Sequence, residues 1–173
     1  MSHLGEGKMD HAATMRRLYE LISAGNIDGF GNLLADNFIE HEEVPGLAPT
    51  KDGVIALFRM YIAAFPDLRM MPEDLIASGD KVVARVRATG THKGAFMGMS
   101  PTGRRVDVPL IDIIRFDNDG RALEHWGVFD QLTMMQQLGA IPAAPPAQLA
   151  TQALLKSAQR RLRTRRVWCL ARD

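Results

Sequence analysis

A single carboxylate interrupts an otherwise apolar strand pattern in the second half of the chain. Between residues 106 and 116 every even-numbered position is apolar except Asp112. Because alternate residues of a strand share one face, this pattern predicts that Asp112 lies on the buried face of a strand. A carboxylate in that place either acquires a partner or has its pKa raised by desolvation. Both outcomes make Asp112 a candidate acid or base.

His125 is the candidate partner of Asp112, because a hairpin turn is predicted within residues 117–120. A loop of two or four residues places Asp112 opposite His125 or opposite Gly127, and in either case Asp112 and His125 share a face. A three-residue loop moves His125 to the other face. The sequence does not fix the turn, so the pairing is conditional on it.

An Asp–His pair of this kind predicts proton-transfer chemistry. Asp112 either orients the imidazole and stabilises its cation while His125 takes a proton from an activated carbon, or is itself the base. The structural alternative is a hydrogen-bonded pair that only fixes the strand register. We predict Asp112 and His125 as the catalytic residues and keep both roles open.

Six other side chains are candidates for substrate contact. His41 follows the second predicted helix beside two glutamates, a pattern that also fits a solvated loop. Two lie on the apolar face of the third helix, and one lies in a glycine-rich connection. Two lie on the last strand, on the face opposite to His125, although a bulge at the strand end would turn the second of them inward. These residues are His41, Phe58, Tyr61, His92, Trp126 and Asp130.

The N-terminal third of the chain is predicted to be helical. Apolar residues recur at three- and four-residue steps from Met9 to Ala24, and Gly25 is placed to end that helix. Residues 27–34 predict a second short helix, and residues 38–43 an irregular or extended exit from it. Thr50 caps a third helix that has one broad apolar face and ends at Pro66.

The second half of the chain changes to a two-residue period, which is typical of strands. Residues 82–89 alternate, and Gly79-Asp80 predicts a tight turn from a strand at residues 68–78. Residues 104–116 and 121–130 predict two more strands, and a short helix at residues 132–138 ends at Gly139. Helices followed by an antiparallel sheet define an α+β domain in which the sheet folds over the helices.

Composition limits the class of protein. With 173 residues, of which 46% are hydrophobic, the chain buries one core and is too short for two full domains. The single cysteine, Cys169, excludes an intrachain disulfide, and no Cys/His spacing predicts a metal site. Charged residues interrupt the first thirty positions, so we expect neither a signal peptide nor a membrane span, and we expect a cytoplasmic protein.

Charge is distributed unevenly along the chain. Residues 147–173 carry seven cationic side chains and one carboxylate, a net charge of +6, which leaves −5 on residues 1–146 because the total is +1. We predict a flexible N-terminus at residues 1–8, one domain at residues 9–141, and a Pro/Ala linker with a basic extension at residues 142–173. One short basic segment supplies charge without an element that reads bases, so a nucleic-acid partner is not expected.

A glycine-rich connection and the strands after it carry a recognisable signature. Its parts are GTHKGAFMG at residues 90–98, PTGRRV at 101–106, IDIIRF at 111–116, EHW at 124–126 and QLG at 137–139, together with FIEH at 38–41 and FPD at 65–67. These runs resemble the SnoaL-like polyketide and ester cyclases of the nuclear-transport-factor-2-like superfamily. The resemblance covers residues 10–141.

The resemblance implies a cone-shaped α+β barrel that encloses an apolar pocket, with no metal or organic cofactor. It also implies a homo-oligomer, a dimer or tetramer, formed through the sheet. Characterised members close polyketide rings by intramolecular aldol condensation, with an aspartate as general acid/base. In the simplest alignment that aspartate falls on Gly127, and Asp112 falls where the cyclases place a pocket histidine.

The predicted function is a cyclase or isomerase that transfers a proton next to the carbonyl of a small apolar molecule. A non-catalytic ligand-binding or oligomerisation module of the same fold is the first alternative. The second is water addition of the epoxide-hydrolase type, which needs an arginine in the pocket. Arg85, Arg87 and Arg115 have the wrong strand parity for that role.

Overall fold

The structure is a computed structural model that describes residues 10–142 of the chain. Within them lie the helices α1 (His11–Ser23), α2 (Ile27–Asn32), α3 (Lys51–Ala64) and α4 (Gln131–Leu138). The strands are β1 (Leu34–Glu40), β2 (Arg69–Ser78), β3 (Lys81–Thr91), β4 (Arg105–Phe116) and β5 (Ala122–Phe129). Most of the sheet follows the first three helices, and the predicted α+β class is confirmed.

Polar caps and glycines define the helix ends. The side chain of Asp10 accepts a hydrogen bond from the Ala13 N–H at 2.9 Å, and the predicted cap Thr50 accepts one from the Gly53 N–H at 3.4 Å. Each cap satisfies a backbone donor that has no partner inside the helix. After α4 the chain turns at Gly139 with a φ of 82°, a left-handed conformation that favours glycine.

The strands form one sheet in the order β1-β5-β4-β3-β2. The pairs β2–β3, β3–β4 and β4–β5 are antiparallel, as predicted. The pair β1–β5 is parallel, so the purely antiparallel sheet of the sequence prediction is corrected to a mixed sheet. The helix predicted at residues 27–34 ends earlier, because Leu34 already belongs to β1. A parallel pair needs a crossover rather than a hairpin, and no turn signal marks it in the sequence.

The inner face of the sheet carries the apolar core. Every even-numbered residue of β4 from Val106 to Phe116 is buried, and α1 adds Met15, Leu18 and Ile22. Burial of such an aliphatic side chain contributes roughly 1.5–3 kcal/mol. The same packing carries one charged side chain inward, since Asp112 is only 7% exposed.

Predictions for the two ends of the chain lie outside the described residues. They concern the flexible N-terminus at residues 1–8 and, beyond Pro142, the linker and the basic extension. Between residues 10 and 142, no helix has both the length and the apolar character needed to cross a membrane.

Candidate active site

Asp112 and His125 meet on the inner face of adjacent strands. In the β4–β5 register Asp112 pairs with Gly127, and Ile114 pairs with His125. This is the second of the two arrangements that keep Asp112 and His125 on one face. His125 Nε2 lies 3.2 Å from Asp112 Oδ1, so the side chains are in direct polar contact.

Strand β1 brings a second carboxylate to His125. Glu40 is the register partner of His125 in the parallel β1–β5 pair, and it is 7% exposed. Both Glu40 carboxylate oxygens lie 2.8 Å from His125 Nδ1. The sequence pattern does not predict this contact, because the partner strand is distant and parallel. The available signal is the alternation with Phe38, which places Glu40 on the same buried face.

Helix α1 supplies a hydroxyl to the other side of Asp112. The Tyr19 hydroxyl donates a hydrogen bond to Asp112 Oδ2 at 2.7 Å. Tyr19 is absent from the predicted site because its spacing in α1 fits an ordinary core position. Burial, together with the negative charge of Asp112, raises the pKa of Tyr19. The phenol therefore stays protonated and serves as a donor.

Two carboxylates hold His125 as a cation. Burial alone would disfavour the imidazolium, but the hydrogen bonds and negative charges of Asp112 and Glu40 outweigh burial and raise the pKa of His125 to about 10. At neutral pH the imidazole therefore already carries both protons. This charge state makes His125 a poor base, so Asp112 is the remaining candidate base of the predicted pair.

An apolar cavity opens onto this cluster. The inner cavity, as we call it, has a volume of about 130 Å³. Its walls come from α1, α2, α3 and the inner face of the sheet, and Asp112, His125 and Glu40 form part of its polar end. Phe58 and Tyr61 also line it, and their predicted contact with a substrate stays a prediction.

A second cavity of about 520 Å³ lies beside the first, around the segment at residues 40–49. We call it the outer cavity. Glu40 and Glu42 line both cavities, as do Val54 and Leu57 of α3. The two glutamates therefore stand at the boundary between the apolar space and the more polar one.

His41 and Trp126 lie outside the inner cavity. Their rings stack on each other with centroids 4.5 Å apart and an interplanar angle of 2°, and His41 Nε2 lies 3.2 Å from Glu124. His41 lines the outer cavity only. Trp126 has the outward parity that its strand position predicts. Both residues lie away from the inner cavity, and their predicted contact with a substrate stays a prediction.

Asp130 and His92 are also outside the inner cavity. Asp130 caps α4, accepting hydrogen bonds from the Thr133 N–H at 2.9 Å and from the Thr133 hydroxyl at 2.7 Å. His92 has no exposed surface, and its Nδ1 lies 3.1 Å from the Thr102 hydroxyl. The two side chains make structural contacts, as a helix cap and as a core histidine packed on Phe65, and their predicted contact with a substrate stays a prediction.

A search with protein-family models finds that the model described as SnoaL-like polyketide cyclase matches residues 12–138. No curated protein sequence matches the chain significantly. Several solved structures share its fold along nearly their whole length.

Three similar structures come from Streptomyces species. AclR of Streptomyces galilaeus, a proposed hydroxylase, is 27% identical over 89% of this chain and 96% of its own, with a TM-score of 0.73. IdmH of Streptomyces antibioticus, a proposed polyketide cyclase, is 31% identical over 76% of this chain and 99% of its own, with a TM-score of 0.67. TsrD of Streptomyces laurentii is 28% identical over 78% of this chain and 100% of its own, with a TM-score of 0.68.

Proposed function

The chain belongs to the SnoaL-like polyketide cyclase family, and on that premise we propose that it transfers a proton next to a carbonyl of a small apolar substrate without a metal or organic cofactor. One observation carries the proposal. The Asp112 carboxylate stands at the polar end of an apolar cavity, bound on one side by Tyr19 and on the other by the His125 imidazolium.

Asp112 acts as the base. It removes a proton from the carbon beside the carbonyl; the C–H electron pair becomes the C=C bond of the enolate, and the carbonyl π pair moves to oxygen. In ring closure the enolate carbon attacks a second carbonyl of the same molecule and forms the C–C bond. The resulting alkoxide takes up the proton that Asp112 removed, which restores the carboxylate, so the cyclic product is an isomer of the substrate. General acid/base assistance of this kind contributes about 10²- to 10⁴-fold in rate.

His125 and Tyr19 position this base. Both imidazole nitrogens already face carboxylates, so the ring does not need to leave its place for Asp112 to react. A charge-assisted hydrogen bond is stronger and shorter than a neutral one, which fixes the carboxylate plane. Of the two roles that the sequence leaves open, the direct base role of Asp112 is therefore favoured.

The size and the apolar lining of the inner cavity favour an apolar substrate that contains at least one ring. A dry cavity of about 150 Å³ is known to hold a benzene molecule, and the inner cavity of about 130 Å³ is close to that size. A larger molecule would extend past Glu40 and Glu42 into the outer cavity. The similarity to IdmH, a proposed polyketide cyclase, supports a substrate of the polyketide class.

Water addition of the epoxide-hydrolase type is less well supported. That chemistry needs a cation in the pocket to hold a substrate oxygen. Arg85 and Arg87 are about half exposed and pair with Glu73, and Arg115 pairs with Glu124. All three lie on the outer face of the sheet, as their parity predicts.

Proton exchange into a simple ketone separates an enzyme from a carrier. β-Tetralone is apolar, carries one aromatic ring and has acidic hydrogens beside its carbonyl. Binding is measured as a rise in the unfolding temperature, since a ligand that prefers the native state stabilises it. Deuterium uptake from D₂O is measured by mass spectrometry. We expect binding together with uptake faster than in buffer; binding with uptake at the buffer rate would identify a non-catalytic carrier instead.

A further inference from the structure

The residue opposite Asp112 is a glycine, Gly127, and atoms of Glu42 and His125 occupy the space that its side chain would take. Gly127 is the cross-strand partner of Asp112. A Cβ placed on Gly127 would lie 2.7 Å from Glu42 Oε2 and 2.7 Å from His125 Cε1. Atoms do not tolerate contacts of this length, so the glycine lets the Glu42 carboxylate and the His125 ring approach the same point.

Backbone contacts bring Glu42 to this point. The His41 N–H donates to the His125 carbonyl at 2.9 Å, which continues the β1–β5 pairing by one residue. The next N–H, that of Glu42, donates to Glu40 Oε1 at 2.9 Å. Both bonds fix the first turn of the segment that leaves β1, and they direct the Glu42 side chain to the boundary between the two cavities.

Glu42 differs from the other carboxylates of the cluster in its hydrogen bonds. Asp112 is bound to Tyr19 and His125, and Glu40 is bound to His125. Within residues 10–142, the Glu42 carboxylate has no such donor. It is half-buried and faces the space in which a substrate would lie, so its oxygens are free to contact that substrate.

The surroundings of Glu42 shift its pKa upward from the ordinary value of a glutamate. Burial is the largest influence and raises the pKa of Glu42; the His125 cation opposes this effect, and the negative charges of Glu40 and Asp112 add to it. Burial, together with the negative charge of Glu42, raises the pKa of Tyr61 on α3 to about 12. Two neighbouring carboxyl groups in different environments can divide the acid and base roles of one site.

We propose that Glu42 is a second catalytic residue, which donates a proton to the substrate carbonyl oxygen while Asp112 removes the proton from the neighbouring carbon. This inference rests on the proposed function. The two transfers balance: the substrate becomes a neutral enol, Asp112 becomes the acid and Glu42 the carboxylate, and the reverse transfers restore both groups when the carbon is reprotonated. Gly127 is the position that makes room for this acid.

Substitution of Glu42 by glutamine tests the role directly, because the amide keeps the shape and cannot give up a proton. In the β-tetralone assay we expect Glu42→Gln to lower the rate of deuterium uptake by about 10²-fold while ketone affinity changes little. The decline of the wild-type rate at high pH, where Glu42 loses its proton, should also disappear. Glu20→Gln, which changes an exposed carboxylate of α1 outside both cavities, is the matched control and should behave as wild type.

A rescue experiment uses the space at residue 127. Glu42→Ala should lose the rate, and Gly127→Asp should lose it as well, because the new side chain meets Glu42 and His125. The double variant Glu42→Ala/Gly127→Asp places a carboxylate in the vacated space. Its rate of deuterium uptake should be at least about tenfold higher than that of Glu42→Ala. Circular dichroism and thermal unfolding establish that each variant is folded.

The outcomes separate the two proposals. If wild type does not exchange the ketone, the proposed function itself fails. If wild type is active and Glu42→Gln keeps its rate and pH profile, only the role of Glu42 is overturned. A folded double variant that is no faster than Glu42→Ala would also overturn it, and if the double variant does not fold, Glu42→Gln decides.

Discussion

His125 is held between Asp112 and Glu40, and this alternation of charge is the central feature at the scale of single residues. Each carboxylate is buried and would be costly without a partner. The imidazolium contacts both, at 3.2 Å and 2.8 Å. The same cation stabilises both buried carboxylates and holds the Asp112 side chain in place at the inner cavity.

Stability should therefore depend on pH through His125. Its pKa in the folded protein, about 10, lies above its ordinary value of 6.5, so the folded state holds the proton more tightly than the unfolded state. The stabilisation is complete below pH 6.5 and is lost as pH rises through 10. We expect urea unfolding at several pH values to show a fall of roughly 3–5 kcal/mol for this group over that window.

His125→Gln should be less stable than wild type by a similar amount at pH 6, because two buried carboxylates lose their cation. It should also lose this part of the pH dependence. A variant that unfolds with the wild-type slope between pH 6.5 and 10 would show that another group is responsible.

The sequence predicts Asp112 and His125 but not the residues that complete their site. Asp112 stands out because it breaks an apolar alternation, and His125 follows from hairpin geometry. Tyr19 and Glu40 reach them from segments that are 93 and 85 residues away from their partners. Contacts over such separations depend on how the elements pack, which a local pattern does not contain.

At the scale of elements, strand pairing explains which predictions hold. Hairpins carry a turn signal, so β2–β3 and β4–β5 are found where the sequence predicts them, and Ser78 pairs with Lys81 around Gly79-Asp80. The parallel strand β1 carries no such signal and is predicted only as an extended exit from a helix. The position of Glu40 and Glu42 is set by the pairing of β1 with β5. Because this pairing is not predicted, both glutamates are missing from the predicted site.

Asp130, at the end of β5, has a structural role that differs from the role proposed for Asp112. Asp130 does not turn into the pocket, because its side chain caps α4 through Thr133. We expect Asp130→Ala to lower the free energy of unfolding by about 1 kcal/mol, the usual cost of removing a cap, with deuterium uptake unchanged. Asp130→Asn, which keeps a capping oxygen, is the matched control. A large loss of activity in a stable Asp130→Ala variant would instead support the predicted substrate role.

At the scale of the whole molecule, the outer face of the sheet carries exposed apolar side chains. Ile111 and Val128 are register partners on β4 and β5, and they are 43% and 75% exposed. We propose that a second copy of the chain covers this face, in line with the homo-oligomer that the family resemblance implies. A two-fold interface is self-complementary, so one apolar patch serves both copies.

Light scattering after gel filtration tests this proposal. Wild type should have at least twice the chain mass of 19.1 kDa, and Val128→Asp should shift it toward the monomer, because a charge on the patch is not buried without cost. Leu132→Asp, an exposed apolar residue of α4 that is 57% exposed, should leave the mass unchanged. A monomeric wild type would contradict the proposal.

The most direct test of the central claim compares wild type with Asp112→Asn. The amide preserves the size of the side chain and can still accept from Tyr19, but it cannot remove a proton from carbon. We expect the rate of deuterium uptake into bound β-tetralone to fall by about 10²-fold or more, while the ketone still raises the unfolding temperature. A folded Asp112→Asn variant that binds the ketone and exchanges it at the wild-type rate would contradict the claim that Asp112 is the base.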